Sequence, residues 1–355
     1  MRIALVTDAW QPQVNGVVRT LNTTLHYLSL AGHTVKAISP LDFRTIPCPT
    51  YPSIRLALFP GRRLRKMLEA FRPDAIHIAT EGPLGQAARR YCVSRNLPFT
   101  TSFHTQFPEY IRLRIPIPVA WTYALLRRFH SAAVRTMVPT PTQRDKLVGW
   151  GFQNLRLWSR GVDVEVFNPD DPVVYDLPRP IAVYMGRVAV EKNIEAFLDL
   201  PGIPTKLVIG EGPDLERLRS RYPDCHFLGP KFGRELARHL AGGDVFVFPS
   251  RTDTFGLVLL EAMACGLPVA AYPVQGPVDI VTQGETGYLS EDLGAAVSMA
   301  SGLSREACIA LARRYSWASC TADFAGYLAP FGDTRTMLGK PDSATGSGAT
   351  LERTS

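Results

Sequence analysis

The stretch "DVFVFPSRTDTFGLVLLEAMACG", Asp244–Gly266, decides how this chain folds. "DVFVFPS" is a short apolar run of strand length, and "RTDT" after it is a turn rich in capping residues. From about Phe255 a helix follows that is apolar on every side, the mark of a buried helix. Leu257, Val258, Leu259 and Leu260 precede Glu261, and Ala262, Met263, Ala264 and Cys265 follow it. A carboxylate enclosed in this way costs several kcal/mol (roughly) unless something bonds to it. The stretch is therefore one strand–turn–helix unit carrying a carboxylate that requires a partner.

The same alternation extends in both directions. "RIALVTD", "HTVKAIS", "DAIHIAT" and "PFTTSFH" are strand-like, with helix-like segments such as "NTTLHYLSLAG" and "GQAARRYCVSRN" between them. It pauses at "SRGVDVEVFNPDDPVVYDLPRP", which reads as a linker, and restarts with "IAVYMGR", "TKLVIGEG", "CHFLGP", "DVFVFPS" and "LPVAAYP". Repeated strand–helix units predict an α/β fold of two Rossmann-like, doubly wound parallel-sheet lobes. Their ligand belongs in the cleft between them, at the carboxyl ends of the strands. The boundaries fall at residues 1–171 for the first lobe and 172–331 for the second. "SREACIALARRYSWASCTADFAGYLAPF" supplies one or two helices that close the second lobe, and 332–355 is a small, polar tail expected to be disordered.

Composition limits the function classes. The chain has 355 residues, 46% hydrophobic and 20% charged, enough for two globular domains of about 150 residues each. "MRIALVTD" is already a strand, so no signal peptide is expected ahead of the fold, and no apolar run is long enough to span a membrane. The six cysteines are scattered, without a C-x-x-C pair, which predicts free thiols and no zinc site. Charge is uneven: residues 1–171 hold 22 Lys and Arg against 11 Asp and Glu, while the rest hold 17 against 21. The basic first lobe points to an anionic surface, membrane or nucleic acid, or to a merely solvated basic face. Without an aromatic–basic motif or zinc knuckle, nucleic acid is not expected as a partner.

G-x-G-x-x-G is absent, which argues against NAD or FAD, and "GEG" at Gly210–Gly212 reads as a strand-to-helix turn. In "TDAWQPQVNGVVRT" the single Gly16 opens a helix, where a backbone can pass close to an anion. "YMGRVAVEKN" places Arg187 and Lys192 on a loop at the top of the second sheet, two cations suited to a diphosphate. The N–H groups of Phe255, Gly256 and Leu257 at the start of the buried helix form a second anion-binding feature. Asp253 lies just before it, and Glu261 about 12 Å farther along at 1.5 Å per residue. An anion flanked by two carboxylates matches a sugar–diphosphate–ribose ligand, with one carboxylate on the sugar hydroxyls and the other on the ribose.

These motifs resemble the retaining glycosyltransferases of family 4, two-lobed enzymes of the GT-B fold. The signature there is E-x7-E after a Pro-Ser strand end; this chain has Asp253 in place of the first Glu, which shortens the reach to the sugar. The D-T-x-G form is similar to the branch that holds sulfolipid and glycosyl-diacylglycerol synthases and related mannosyltransferases. The likeness runs from Met1 to about Phe331 through "PQVNGVVRT", "HIATEGPLG", "SFHTQFPEY", "GVDVEVFNP", "GRVAVEKN" and "GPVDIV". It implies that Gly16 approaches the diphosphate, that Arg187 and Lys192 neutralise it, and that the Phe255–Leu257 amides bind phosphate. Asp253 would orient the transferred sugar and Glu261 hold the ribose. His104, in "SFHTQF", would face the reaction centre, although a lone histidine is also a common structural residue. Glu81 would contact the acceptor, or else serve as a helix N-terminal charge.

The implied reaction is front-face displacement with retention, in which the donor's own phosphate oxygen takes the acceptor proton and the cations stabilise the leaving diphosphate. No metal or other cofactor is expected: no D-x-D sits at a strand end, and "DVE" at Asp163–Glu165 lies in the linker. The expected donor is UDP-glucose or a related UDP-sugar, with a GDP-mannose-dependent mannosyltransferase as the alternative. A non-catalytic sugar-binding protein and a sugar epimerase share parts of the pattern. For the acceptor, "GRRLRK" at Gly61–Lys66 and "YIRLRIPIPVAWTYALLRRF" at Tyr110–Phe129 interleave basic, aromatic and aliphatic residues: Arg112, Arg114, Arg127 and Arg128 with Trp121, Tyr123, Ile115 and Ile117. That mixture suits an anionic leaflet. It predicts a cytoplasmic enzyme, peripheral on the inner face of the membrane, that glycosylates a lipid such as diacylglycerol.

Overall fold

The computed structural model describes residues 1–13, 15–48, 51–104 and 118–332. In chain order the first lobe runs β1 (Arg2–Val6), α1 (Gly16–Leu30), β2 (Thr34–Ile38), β3 (Thr45–Cys48), β4 (Tyr51–Ala57), α2 (Gly61–Phe71) and β5 (Ala75–Ile78). It continues with α3 (Pro83–Val93), β6 (Thr100–Ser102), α4 (Val119–His130), β7 (Arg135–Val138), α5 (Pro141–Gly149) and β8 (Leu155–Leu157). Six of the strands form one sheet in the order β2-β1-β5-β6-β7-β8, every pair parallel. Strands β3 and β4 form a separate antiparallel ribbon.

The second lobe runs β9 (Ile181–Met185), α6 (Glu195–Leu198), β10 (Thr205–Ile209), α7 (Leu215–Arg221), β11 (His226–Gly229), α8 (Gly233–Ala241) and β12 (Val245–Phe248). After these come α9 (Leu257–Ala264), β13 (Val269–Ala271), α10 (Pro277–Ile280), β14 (Gly287–Leu289), α11 (Leu293–Ala300), α12 (Arg305–Ala312) and α13 (Trp317–Tyr327). Its sheet, again all parallel, has the order β11-β10-β9-β12-β13-β14. The expected pair of doubly wound lobes is therefore present.

A strand covered on both faces must be apolar at every position, with alternate residues going to opposite cores. Strand β9 does this: Ile181, Val183 and Met185 enter one core cluster, Ala182 and Tyr184 the other. Strand β1 divides in the same way, Ala4 and Val6 to one side, Ile3 and Leu5 to the other. In each lobe the strand order reverses beside the first strand, between β1 and β5 and between β9 and β12. Those two switch points are where an open α/β sheet leaves a crevice for a ligand.

The closing helices depart from expectation. Helix α12 lies along α9 in the second lobe, but α13 returns to the first. Trp317, Cys320, Phe324 and Leu328 share a core with Ile3, Leu5, Leu21, Leu28 and Trp158. Farther on, the Phe331 N–H donates to the Asp74 carbonyl at 2.8 Å. The physical reason is coverage. That face of the first sheet has α1 as its own apolar cover, and the aromatic side of α13 fills the remainder. The second-lobe boundary drawn at residue 331 is thus crossed at about Trp317.

Candidate active site between the lobes

The second lobe's side of the cleft is built by the loop from β12 to α9. Asp253 Oδ1 accepts the N–H groups of Thr254 at 2.9 Å and Phe255 at 3.4 Å, so the loop turns back on its own carboxylate. Gly256 follows with φ 85° and ψ 62°. That left-handed conformation suits glycine, and a Cβ there would stand 2.9 Å from Leu259 Cδ1. The helix starts at Leu257, later than the sequence suggests, and no side chain caps it. The anion-binding feature is accordingly narrower than expected. Phe255 spends its N–H on Asp253 and buries its ring, while the N–H groups of Gly256 and Leu257 have no hydrogen-bond acceptor among the described residues.

The helix ends on the first lobe differ. Asn15 Oδ1 accepts from Val17 and Val18 at the head of α1, and the Asp8 carboxylate accepts from Leu84 and Gly85 at the head of α3. Side chains take two N–H groups at each of those N-termini, whereas no side chain caps α9. The Asn15 cap takes the two N–H groups that follow Gly16 and not that of Gly16 itself. Gly16 matters as a close approach, for a Cβ on it would lie 3.7 Å from Leu257 Cδ1, across the cleft.

Arg187 and Lys192 follow β9, whose neighbour in the sheet is β12, so both cations stand over the switch point. Lys192 Nζ donates to Asp253 Oδ2 at 2.8 Å, and Arg187 Nη1 lies 3.8 Å from Glu191 Oε1. Asn193 Nδ2 donates to the Pro249 carbonyl at 3.1 Å, docking this loop on the one that carries Asp253. Burial raises the Asp253 pKa, but the charge and hydrogen bond of Lys192, with the Phe255 and Thr254 amides, outweigh it and hold the carboxyl below its ordinary value. Asp253 is thus an ionised group with a cation, Lys192, on its own lobe. Lys192 carries three donors, one of which goes to Asp253.

Glu261, whose need for a partner the sequence announced, is paired with Arg19 of helix α1. The carboxylate is buried while the guanidinium is about half exposed, 5% against 47%. Burial pushes the Glu261 pKa up to about 7, against the charge and hydrogen bond of Arg19. The sequence did contain a signal: Arg19 stands three residues after Gly16 and so shares its helix face.

On the first lobe His104 sits past the end of β6, nearly buried at 8% exposure. Its carbonyl faces the second lobe, where it accepts from Thr254 Oγ1 at 2.9 Å. Its ring faces inward: Nε2 lies 2.7 Å from Ser102 Oγ, and Nδ1 is 3.2 Å from Arg160 Nη2. Burial first, then Arg160, His77 and His130, hold the imidazole pKa well below its ordinary value. The structure thus brings His104 to the cleft through its main chain. Glu81 Oε1 meets His130 Nε2 at 3.1 Å, a contact within the first lobe. Arg19, Thr254 and Arg160 join the site without having been singled out from sequence.

The segment expected to meet a membrane is partly outside the described residues, including Arg112, Arg114, Ile115 and Ile117. On α4, Trp121 is 73% and Leu125 62% exposed, four residues apart on one face, with Arg128 exposed beyond them. Tyr123 departs from expectation: it is buried and stacks on Trp150 with ring centroids 4.4 Å apart. Helix periodicity explains this, because Tyr123 shares the buried face with Leu126 and His130. Arg62, Arg63, Arg65 and Lys66 are exposed on α2. Among the described residues no helix is long and apolar enough to cross a membrane, and no group of three acidic, His or Cys side chains is placed to hold a metal.

Residues 14–166 match the family described as Glycosyltransferase Family 4, and residues 179–305 that described as Glycosyl transferases group 1. A GDP-mannose-dependent alpha-mannosyltransferase of Mycobacterium tuberculosis is 30% identical over 81% of this chain and 83% of its own. A sulfoquinovosyl transferase of Arabidopsis thaliana is 36% identical over 69% of this chain and 52% of its own. Among solved structures, sucrose-phosphate synthase from Thermosynechococcus elongatus superposes with TM-score 0.71 at 21% identity, covering 92% of this chain and 97% of that one.

Proposed function

This chain belongs to the glycosyltransferases of family 4, and on that footing we propose that it moves a hexose from a nucleoside-diphosphate sugar to a lipid hydroxyl, with retention at the anomeric carbon. One observation carries the donor side: the uncapped N-terminus of α9 opens at the switch point beside Arg187 and Lys192. Helix dipole, free amides and two cations together suit a diphosphate and stabilise it as charge develops on departure. Glu261 accepts from the ribose hydroxyls with the oxygen that Arg19 leaves open, and Asp253 orients the sugar. The His104 carbonyl, which accepts from Thr254 Oγ1, stands at the reaction centre. A donor phosphate oxygen takes the acceptor proton, so the inward-facing His104 ring is not required as a base, and no metal is required. Glu81 lines the acceptor side.

For the acceptor, the support is the exposed Trp121–Leu125–Arg128 face of α4 and the basic face of α2, next to which Phe59 is 95% exposed. Such surfaces suit an anionic leaflet, and in this reading the enzyme is a peripheral protein on the inner face of the cytoplasmic membrane, acting on diacylglycerol. The donor of this reading is UDP-glucose or a related UDP-sugar. The mannosyltransferase of M. tuberculosis, which matches four-fifths of the chain, favours GDP-mannose as a second reading. The test is a donor panel, UDP-glucose and GDP-mannose, against vesicles containing diacylglycerol and against soluble glycans. Labelled sugar appearing in the lipid phase supports the lipid acceptor; appearance only in the aqueous product refutes it.

A further inference from the structure

Arg160 is a buried guanidinium whose hydrogen-bond partners are two carbonyls and an imidazole. It lies just past β8, at the start of the stretch leading to the second lobe, and is 4% exposed. Its Nη1 donates to the carbonyls of Trp158 at 2.6 Å and Ser159 at 2.9 Å, and its guanidinium carbon stands 4.2 Å from the centroid of the Trp158 ring. The Nη2 group points at His104 Nδ1, 3.2 Å away.

A guanidinium can only donate. Nδ1 of His104 must therefore be bare, and the ring proton resides on Nε2, donating to Ser102 Oγ at 2.7 Å. With that oxygen accepting from His104, the Ser102 hydroxyl donates elsewhere, and its neighbours are His77 Nε2 at 3.0 Å and the Ala79 carbonyl at 3.5 Å. His77 Nδ1 lies 2.9 Å from Thr100 Oγ1. One residue that cannot accept thus sets the tautomer of His104. These contacts also explain why the ring of His104 turns inward while its carbonyl reaches the cleft.

We infer that Arg160 is a positioning residue for transfer: it fixes the tautomer and orientation of the His104 ring, and thereby the place of the His104 carbonyl opposite Thr254. The groups facing His104 from neighbouring elements are Arg160, His77 on β5, His130 on α4 and the Trp158 ring, whose centroid is 5.7 Å away. Among the described residues no acid faces His104, so burial and like charge act in one direction on the imidazole. The effect on rate rests on the transferase reading; the tautomer does not.

The experiment separates the two. Histidine is labelled with 15N, the His104 signals are assigned against His104→Gln, and spectra are taken without substrate from about pH 8 to about pH 5, the range in which an ordinary imidazole titrates. The wild type is expected to keep a neutral ring protonated on Nε2 throughout. Arg160→Gln should populate the other tautomer or bring titration into that range. In the same variant turnover should fall about tenfold or more, the scale of one misplaced hydrogen bond, with affinity for UDP and GDP within about threefold of wild type. Arg160→Lys, which keeps the charge but not the fork, should recover only part of the loss. A wild-type His104 that is charged at neutral pH or protonated on Nδ1 overturns the inference, and so does a folded Arg160→Gln with wild-type spectrum and turnover. If Arg160→Gln does not fold, the wild-type spectrum and the lysine variant decide. A chain that transfers no sugar but has the expected tautomer counts against the transferase reading alone.

Discussion

Glu261→Gln should make the protein more stable and a poorer donor binder, and the stability gain should depend on pH. A glutamate with an ordinary value of 4.5 has been raised to about 7 by burial, even with Arg19 beside it. Between those values the native state binds a proton that the unfolded chain has released, so stability falls as pH rises through this window. The span is about 2.5 pH units at 1.36 kcal/mol each, or about 3 kcal/mol lost by pH 8. The glutamine does not ionise and escapes that loss. It needs hydrogen bonds of its own in a buried place, which takes back about 1 kcal/mol. Arg19 loses its partner but is half in water, where a lone cation costs little. The net expectation is a gain of about 1–3 kcal/mol at pH 8 that shrinks to nothing near pH 5. Donor affinity moves the other way, by about 1–3 kcal/mol, because an amide is a poorer acceptor for ribose hydroxyls than a carboxylate. Urea unfolding of both proteins at the two pH values, with calorimetric titration of donor at pH 8, measures both signs. Wild-type stability that does not fall between pH 5 and pH 8, or a glutamine variant that is less stable at pH 8, would refute the reasoning. Unchanged donor affinity in the folded variant would remove Glu261 from the donor site.

Arg187→Ala and Lys192→Ala should each cut turnover far more than they lower the melting temperature, and the double variant should lose less than the two effects added, since both act on one diphosphate. Additive losses, or wild-type turnover in both, place the diphosphate elsewhere. Gly256→Ala forces a left-handed residue and meets Leu259, so stability should drop by about 1–2 kcal/mol and donor affinity with it; circular-dichroism melts and donor titration check this. Vesicle co-sedimentation should rise with anionic lipid, fall with salt, and weaken when Arg62, Arg63, Arg65 and Lys66 are neutralised together. Recovery in the supernatant at every lipid composition ends the membrane-surface reading.

What could be read from the sequence depended on the range of the interaction. Strand β12 and helix α9 were legible because apolar runs of four to eight residues bounded by turn signals are local patterns. Strands β7, β8 and β14 are three or four residues long and carry Arg135, Arg156 or Gly287, too little pattern to stand out. Helix α13 was legible as a helix, but periodicity tells which face is buried and not what buries it. Similarly, Glu261 announced a need for a partner, while the identity of that partner depended on how closely α1 approaches α9. Arg160 was not legible at all: it lies in a stretch that reads as linker, and a charged residue there looks solvated.

The two carboxylates proposed for the donor site solve the same problem with different consequences. A carboxylate set to receive sugar or ribose hydroxyls must be sheltered from water, and a sheltered carboxylate without a counter-ion protonates or destabilises the fold. Asp253 has its cation, Lys192, on its own lobe. Glu261 draws Arg19 from the other lobe. Burial raises the Glu261 pKa and Arg19 lowers it, so separation of the lobes would remove the opposing charge together with the cover that α1 provides, two changes of opposite sign. The charge state of Glu261 is therefore tied to the packing of α1 against α9, and a lobe rearrangement that altered one of these influences more than the other would register as a shift in its titration.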